Sequence, residues 1–500
     1  MRSTRLFFIL LCIVIFVIVP YINPNSTFGS KDTIQSSSTG LIERKSNYTY
    51  INKTISPYPV IDSSPQKSAS FNSSLFQEMV SLTVIQPETW KQFNLNESDV
   101  FLAVDGASQS RVLRVLIELY SPTGLLIEAK NTTSSNPFHV LIPSPLTGTW
   151  QIRLKLIDTG NTTVWIQAIS FINGARYVSD YQKERLHLYA GQALYFKIPV
   201  EKISDWFDIY CVRLAGANVY YNLYRPLEYE SSWVSRRNTF EGFYCSKKLP
   251  SLGTYLLIIT NEGDADVMVQ LTMPSGVSRT LTPNDRFVIK FALDHENEHF
   301  YVSIDTSLSW IALDGAVTTR GSWGRYKLMD PDMNLVTDQT SDYIDRFISK
   351  ILVDPPMGKY ILILRGSAGA ELTVQFTASG NEDKVINVAI DEKITFTQSG
   401  QTLYYKVPTV PELRFLYLAT SLTSGKSQYR IFDFRLTQIW SQYSRSPSKP
   451  KYAVITATGG DYLIQVQGQI ETDVMLHVRF EDDQDYFCLL YTSPSPRDRG

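Results

Sequence analysis

Residues Gly253 to Ile259 read GTYLLII, and residues Gly358 to Leu364, 105 positions later, read GKYILIL. In both stretches a glycine stands two residues before an aromatic residue that opens an apolar run. A short, continuously apolar run is typical of a central β-strand, and the glycine suits a turn with positive φ. These two stretches predict a β-protein built from repeats.

Two sequence markers recur with one period. The glycine–aromatic pair occurs at intervals of 105, 105 and 102 residues, as Gly148/Trp150, Gly253/Tyr255, Gly358/Tyr360 and Gly460/Tyr462. A turn proline recurs at Pro122, Pro226 and Pro331, and Phe434 stands in the fourth place. Two markers that keep the same period predict four copies of about 104 residues. We expect these copies at 76–172, 173–273, 274–377 and 378–480.

Each copy has the patterns of short β-strands. Apolar and polar residues alternate strictly from Trp150 to Leu156 (WQIRLKL) and again from Leu372 to Thr377 (LTVQFT), which indicates strands with one buried face. Beyond the N-terminus no stretch keeps a helical period for three turns. We therefore predict an all-β fold of four tandem β-sandwich, jelly-roll-like repeats.

The repeats resemble two known families. LYAGQALYFKIPV (Leu188–Val200), its echo SGQTLYYKVP (Ser399–Pro408), GTYLLII and GKYILIL resemble bacterial-type pre-peptidase C-terminal (PPC) domains. That resemblance implies jelly-roll-like sandwiches, appended to secreted enzymes and without catalysis of their own. LYSPTGLL and IPSPLTGTW in the first copy resemble the ectodomain of a multi-pass membrane family linked to GPI-anchor processing. Both likenesses concern strands and turns, so they bear on the fold and not on a site.

The two ends of the chain differ from the repeats. Arg2 and Arg5 precede the apolar run Leu6–Val19, so residues 1–30 are expected to be an uncleaved signal anchor or a cleaved signal peptide. Either one places the remainder outside the cytosol, membrane-anchored or secreted. Residues 31–75 are rich in Ser, Thr and Asn without sustained periodicity, which predicts a stalk. Cys488–Asp498 reads CLLYTSPSPRD and resembles a translated sequencing adapter, so 488–500 are expected to be an artefact and 481–487 a truncated continuation.

An extracytoplasmic chain carries modifications that the sequence can predict. Cys12 and Cys488 lie in the two end segments, so Cys211 and Cys245 remain and are expected to form a disulfide. The chain is expected to be a glycoprotein, since seven Asn-x-Ser/Thr sequons occur. They are Asn25, Asn47, Asn52, Asn72, Asn96, Asn131 and Asn161.

Composition and motifs argue against several functions. With 47 basic and 49 acidic residues, the chain offers no electrostatic capture of nucleic acid. His295-Glu296-Asn297-Glu298-His299 is formally HExxH, but it stands between predicted strands, so we expect a polar hairpin loop and not a helical zinc site. Two oxygen-rich stretches, 261–266 and 330–334, fit either a calcium site or a solvated turn. We predict no catalytic residue, no metal and no cofactor.

One segment combines the residue types that dominate interfaces. Between Tyr220 and Tyr244 eight of 25 residues are aromatic, with arginines interleaved. Aromatic and arginine side chains on a loop fit a binding face, although aromatics also fill sandwich cores. The candidate face consists of Tyr224, Arg225, Tyr229, Trp233, Arg236 and Arg237.

These observations favour a non-enzymatic protein of the cell surface or extracellular space. Its tandem sandwiches are expected to bind a protein or carbohydrate partner or to act as a spacer. The alternative is the ectodomain of a larger membrane protein or secreted enzyme whose functional C-terminal part is missing.

Overall fold

The structure is a computed structural model. It describes residues 50–54, 60–62 and 75–481, the last range with gaps at 97–98, 173, 178–180, 203–205, 227, 229–233, 238–242, 249–250, 278, 342–346, 388, 409–414, 446–450 and 458. The predicted signal segment, the predicted C-terminal artefact and the side chains of four of the seven sequon asparagines lie outside this description. Among the described residues no helix is both long and apolar enough to cross a membrane.

The described residues form 37 strands and one 3-10 turn. Two strands precede the repeats: β1 (Tyr50–Thr54) and β2 (Val60–Asp62). The first sandwich contains β3 (Phe76–Leu82), β4 (Glu88–Leu95), β5 (Phe101–Ser108), β6 (Val115–Tyr120), β7 (Leu126–Thr132), β8 (Phe138–Pro143), β9 (Gly148–Leu156) and β10 (Thr162–Ser170). The second contains β11 (Arg176–Tyr177), β12 (Tyr181–Leu188), β13 (Leu194–Val200), β14 (Trp206–Gly216), β15 (Val219–Tyr224), β16 (Val234–Arg237), β17 (Phe243–Lys248), β18 (Gly253–Asn261) and β19 (Ala265–Thr272).

The third and fourth sandwiches follow the 3-10 turn at Pro274–Gly276. The third contains β20 (Arg279–Leu281), β21 (Arg286–Lys290), β22 (Glu296–Ile304), β23 (Trp310–Val317), β24 (Gly324–Met329), β25 (Leu335–Ser341), β26 (Phe347–Val353), β27 (Gly358–Gly366) and β28 (Glu371–Ala378). The fourth contains β29 (Lys384–Val385), β30 (Ala389–Phe396), β31 (Gln401–Val407), β32 (Phe415–Ser424), β33 (Lys426–Phe432), β34 (Gln438–Arg445), β35 (Lys451–Thr456), β36 (Tyr462–Gly468) and β37 (Thr472–Glu481).

Each sandwich consists of two sheets, and the predicted all-β sandwich fold is confirmed. We call the sheet that contains the glycine–aromatic strand the front sheet and the other the rear sheet. In the first sandwich the front sheet has the order β4-β9-β6-β7 and the rear sheet β3-β10-β5-β8, the strand order of an eight-stranded jelly roll. The later front sheets are β11-β13-β18-β15-β16, β20-β22-β27-β24-β25 and β29-β31-β36-β33-β34, and the later rear sheets are β12-β19-β14-β17, β2-β21-β28-β23-β26 and β1-β30-β37-β32-β35.

The two periodic sequence markers contact each other in space. Gly358 has a φ of +141°, and a Cβ there would lie 2.7 Å from the ring of Pro331. Gly148 and Gly253 face Pro122 and Pro226 in the same way. The proline therefore covers the glycine, which explains why both recur with one period.

The aromatic residue of the marker closes the end of each core. Trp150 donates its indole N–H to the carbonyl of Leu146 at 2.9 Å. Tyr360 donates its hydroxyl to the carbonyl of Pro356, also four residues earlier, at 3.1 Å. Both rings are buried, so each satisfies its polar atom locally while filling the core.

The stalk prediction for residues 31–75 is wrong in part. β1 pairs in parallel with β30 of the fourth sandwich, and β2 pairs in parallel with β21 of the third. An edge strand is held by backbone hydrogen bonds to an otherwise open sheet edge, so it needs no hydrophobic periodicity of its own. The segment before the first copy thus completes the rear sheets of the last two.

The predicted disulfide is not formed. Cys211 in β14 lies opposite Phe243, and Cys245 in β17 lies opposite Ile209, so the two cysteines are diagonal neighbours. Diagonal partners are about 7–8 Å apart, farther than a disulfide allows without backbone movement. Both side chains are buried thiols in the core of the second sandwich, and burial raises the pKa of Cys211.

The predicted hairpin loop at 295–299 is also wrong. Glu296 begins β22, and the residues from Glu296 to His299 are all buried. A polar strand remains stable inside a protein only when its charges and amides have partners. The second sandwich supplies such partners for Glu296 and His299.

Candidate functional site

The residues predicted to form a binding face are only partly described. Tyr224 is half-buried at the end of β15 and packs against the apolar cluster between the first and second sandwiches, and burial raises its pKa. Arg225 follows in the turn, 3.7 Å from the carboxylate of Glu228. Tyr224 therefore takes part in packing, while a binding role for the rest stays a prediction. The other four side chains lie outside the described residues: Tyr229, Trp233, Arg236 and Arg237.

A buried aspartate joins the first sandwich to the second. Asp105 in β5 lies 2.9 Å from Nδ1 of His139 and accepts a hydrogen bond from the amide of Gln167 at 2.9 Å. From the next sandwich, Tyr195 donates its hydroxyl to Asp105 at 2.7 Å. Gln167 also donates to the carbonyl of Ala193 at 2.8 Å. The rear sheet of one sandwich thus docks onto the front sheet of the next through a hydrogen-bonded polar centre.

The same arrangement recurs 209 residues later, between the third and fourth sandwiches. Tyr404 donates its hydroxyl to Asp314 at 2.7 Å, as Tyr195 does to Asp105. Gln465 donates to the other oxygen of Asp314 at 2.8 Å. Burial raises the pKa of Asp314 to about 6, although its hydrogen bonds act in the opposite direction.

The contact between the second and third sandwiches is more highly charged. Lys183 in β12 forms a buried ion pair with Glu296 in β22, and burial lowers the pKa of this lysine to about 8. Asp208 in β14 lies 2.9 Å from Nε2 of His299. These pairs supply partners for Glu296 and His299 of β22 and connect the second sandwich to the third.

The HExxH residues do not converge on a common point. Nδ1 of His295 lies 3.1 Å from the hydroxyl of Tyr210, whereas His299 faces Asp208. The backbone is extended from Glu296 onward, so side chains four residues apart cannot face one ion as they would on a helix. The motif serves sandwich docking.

A glutamine at one position of each of the first three rear sheets reaches the backbone of the following sandwich. Gln270 accepts from the amide N–H of Asn297 at 2.9 Å. Gln375 accepts from the N–H of Thr402 at 3.1 Å and donates to its carbonyl at 2.9 Å. Together with Gln167, these residues recur once in each of the first three sandwiches and so form a third periodic marker. A single glutamine within a strand gives no recognisable motif in the local sequence.

The two oxygen-rich stretches use their carboxylate and amide groups internally. Asp330 accepts from the backbone N–H groups of Asp332 and Asn334 at 2.9 and 2.7 Å, which closes the β24–β25 turn. Buried Asn261 donates to the carbonyl of Tyr189 at 2.8 Å and accepts from the N–H of Gly191 at 3.2 Å. In the described part of the chain, no three His, Cys, Asp or Glu side chains are grouped to hold a metal.

The front sheet of the first sandwich is not covered by another sandwich among the described residues. On its outer face Trp90 is 47% exposed, and its ring centroid lies 5.5 Å from that of Tyr120. Arg153 lies over Trp90 at 5.7 Å and makes two 2.9 Å hydrogen bonds to the carboxylate of Glu88. Arg153 also donates to Glu118 at 3.0 Å. We call these five residues the Trp90 platform.

Three acceptor asparagines have described side chains, and all three lie in the first sandwich. Asn96, Asn131 and Asn161 are exposed, as an acceptor asparagine must be. Asn131 lies in the edge strand β7 of the front sheet, opposite Leu116. Asn25, Asn47 and Asn72 lie outside the described residues, and Asn52 is described only as backbone of β1.

Sequence reasoning missed the inter-sandwich centres and the Trp90 platform. The segments VDGAS at 104–108 and LDGAV at 313–317 carry the two aspartates at a spacing of 209, so this longer period could have revealed a duplicated pair of sandwiches. The Trp90 platform had no comparable signal, because its residues come from three strands with unremarkable local sequence.

Comparisons with known proteins leave the chain without an assigned family. No family model and no curated protein matches it. Among solved structures, tripeptidyl peptidase 2 aligns with a TM-score of 0.17 and 8% identity, covering 84% of this chain and 38% of that one. The Sulfolobus turreted icosahedral virus structure aligns with a TM-score of 0.17 and 9% identity, covering 62% and 91%. This chain therefore spans well under half the length of the peptidase chain, and scores of this size carry no functional argument.

Proposed function

We propose that this chain is a non-enzymatic protein of the cell surface or extracellular space. Its four docked sandwiches act as a spacer and hold a binding surface in a fixed position. The observation that carries the proposal is the use of reactive side chains at the inter-sandwich contacts. At the contact between the second and third sandwiches, two buried pairs hold such groups against each other, Lys183 with Glu296 and Asp208 with His299.

The buried contacts support a spacer more than a flexible series of domains. Each one combines a polar centre with apolar packing, for example Phe101 and Tyr195 between the first two sandwiches and Trp310 and Tyr404 between the last two. Breaking a buried hydrogen-bonded charge leaves an unsatisfied group, which costs about 1–3 kcal/mol or more. Sandwiches joined in this way keep one relative position.

The proposal is tested with the full chain expressed in eukaryotic cells. We expect a product outside the cytosol whose gel mobility increases after N-glycosidase treatment. We also expect that Ala193→Arg, placed in a buried contact, increases the radius of gyration in small-angle scattering and makes the chain between the first two sandwiches more sensitive to protease. The matched control Leu335→Arg, at an exposed position, should change neither.

Two results would overturn the proposal. One is a cytosolic, unglycosylated product. The other is a wild-type chain that already has the expanded dimensions and the protease sensitivity of Ala193→Arg, because a spacer requires docked sandwiches.

A further inference from the structure

The Trp90 platform occupies the face that docking covers in every later sandwich. In the front sheet of the first sandwich, Trp90 stands opposite Arg153, which follows the marker aromatic by three residues. In the second sandwich Tyr195 occupies the equivalent position, because it stands opposite Ile258, which also follows its marker aromatic by three residues. Tyr404 stands at this position in the fourth sandwich, opposite Gln465. Tyr195 and Tyr404 are fully engaged with the preceding sandwich, whereas Trp90 is solvent-exposed.

The chemistry of this face differs from that of a docking face. Glu88 stands opposite Lys155. The second sandwich has Ala193 at the position of Glu88, and the carbonyl of Ala193 accepts a hydrogen bond from Gln167 of the first sandwich. Charged side chains at the centre of a contact oppose docking unless the partner supplies matched charges. A second copy of the chain would have to dock through the rear sheet of its fourth sandwich. At the centre of that sheet Ala419 stands opposite His477, whereas the docked rear sheet of the third sandwich has Asp314 opposite Gln375. A further sandwich of this chain is therefore a poor occupant.

We propose that the Trp90 platform binds the pyranose ring of a neutral carbohydrate. This inference rests on the proposed function and names the class of partner. An exposed indole presents an apolar face with polar surroundings, which suits the C–H face of a sugar ring. The ring of Tyr120 packs against the indole, with centroids 5.5 Å apart and ring planes tilted by 37°.

The polar groups around the indole are held in place before a ligand arrives. Arg153 is fixed by a two-point contact with Glu88 and by Glu118, and Tyr120 donates its hydroxyl to Glu118 at 3.2 Å. A carboxylate has about four lone-pair positions, so both glutamates keep acceptors for sugar hydroxyls. Such preorganisation lowers the entropy that binding must overcome.

The charge balance of the face selects a neutral ligand. Glu88 and Glu118 are matched by Arg153 and by Lys155, which is exposed. No excess of positive charge remains to attract sialylated or sulfated glycans. The amides of Gln92 and Gln151, which pair across β4 and β9 on the same face, add further neutral donors and acceptors.

The test measures sugar binding by saturation-transfer NMR on the secreted full chain. All proteins carry Asn131→Gln, because a glycan at that exposed position would stand on the same sheet. The probes are the methyl glycosides of glucose, galactose, mannose and N-acetylglucosamine, and N-acetylneuraminic acid serves as the anionic comparison. We expect at least one neutral glycoside to bind at millimolar concentration and to contact the indole.

Variants locate the binding. Trp90→Ala should weaken it by at least about tenfold, and Trp90→Phe should restore part of it because an aromatic face returns. Arg153→Lys should also weaken it, since lysine cannot make the two-point contact that positions Glu88. The matched control Tyr452→Ala, at an exposed aromatic 41% accessible on the fourth sandwich, should leave binding unchanged.

The proposal fails if no neutral glycoside binds, if Trp90→Ala binds as well as the parent, or if only the anionic sugar binds. Circular dichroism of Trp90→Ala shows whether the variant is folded, and we expect it to be, because the side chain is exposed. A folded, glycosylated and docked chain that binds no sugar would refute this inference alone. A chain that stays in the cytosol would refute the proposed function instead.

Discussion

Burial and hydrogen bonding act in opposite directions on the carboxyl of Asp314. Tyr404 and Gln465 donate hydrogen bonds to it, and the guanidinium of Arg430 also favours its charged form. Burial of an acid disfavours its charged form unless a nearby cation compensates. For Asp314 the burial effect prevails, since its pKa rises to about 6.

This shift predicts a pH dependence of stability. A carboxyl whose folded pKa lies above its unfolded value binds its proton more tightly when folded, so its contribution to stability grows as pH falls from about 7 to about 4. Relative to Asp314→Asn, the wild type should gain about 1–3 kcal/mol across that window, measured as the difference between their melting temperatures in calorimetry. A difference that does not change with pH would show that Asp314 keeps its ordinary acidity.

At the scale of elements, the turn that carries the proline and the strand that begins with the glycine form one unit. The ring of Pro331 occupies the space that a side chain at 358 would need. The positive φ and the close approach both require glycine there.

Gly358→Ala should therefore destabilise the third sandwich by about 2–3 kcal/mol, because strain in φ adds to overpacking. The matched control is Gly369→Ala, whose φ of +74° is also positive but whose Cβ would meet nothing within 4 Å. It should cost only about 1 kcal/mol. Urea unfolding compares the two, and equal losses would mean that the proline contact has no energetic effect.

At the scale of the whole molecule, two strands that precede the first sandwich complete the rear sheets of the last two. Tyr50 pairs with Asp391 in β30, 341 residues later, and Val60 pairs with Val288 in β21. An open sheet edge invites association with other chains, so these two strands protect the rear sheets of the third and fourth sandwiches.

The double variant Ile51→Pro/Asn52→Pro removes two consecutive backbone donors and should release β1 from β30. Hydrogen exchange followed by mass spectrometry should then show faster exchange in Ala389–Phe396. The corresponding strand of the second sandwich, Tyr181–Leu188, has no outer partner in the described part of the chain and should exchange as before. Unchanged protection of β30 would mean that β1 does not pair with it in solution.

The sequence by itself determined the all-β sandwich fold and the strands marked by glycine and proline, because alternation and turn chemistry are local properties of one strand. The tertiary structure alone decided the fate of Glu296–His299 and of Tyr50–Thr54. A polar strand becomes buried only when another sandwich supplies its partners, as Lys183 and Asp208 do here. Likewise, β1 is a strand only because an edge hundreds of residues away accepts its backbone hydrogen bonds. Periodicity reports whether a strand has a buried face, but it cannot report which distant surface covers that strand.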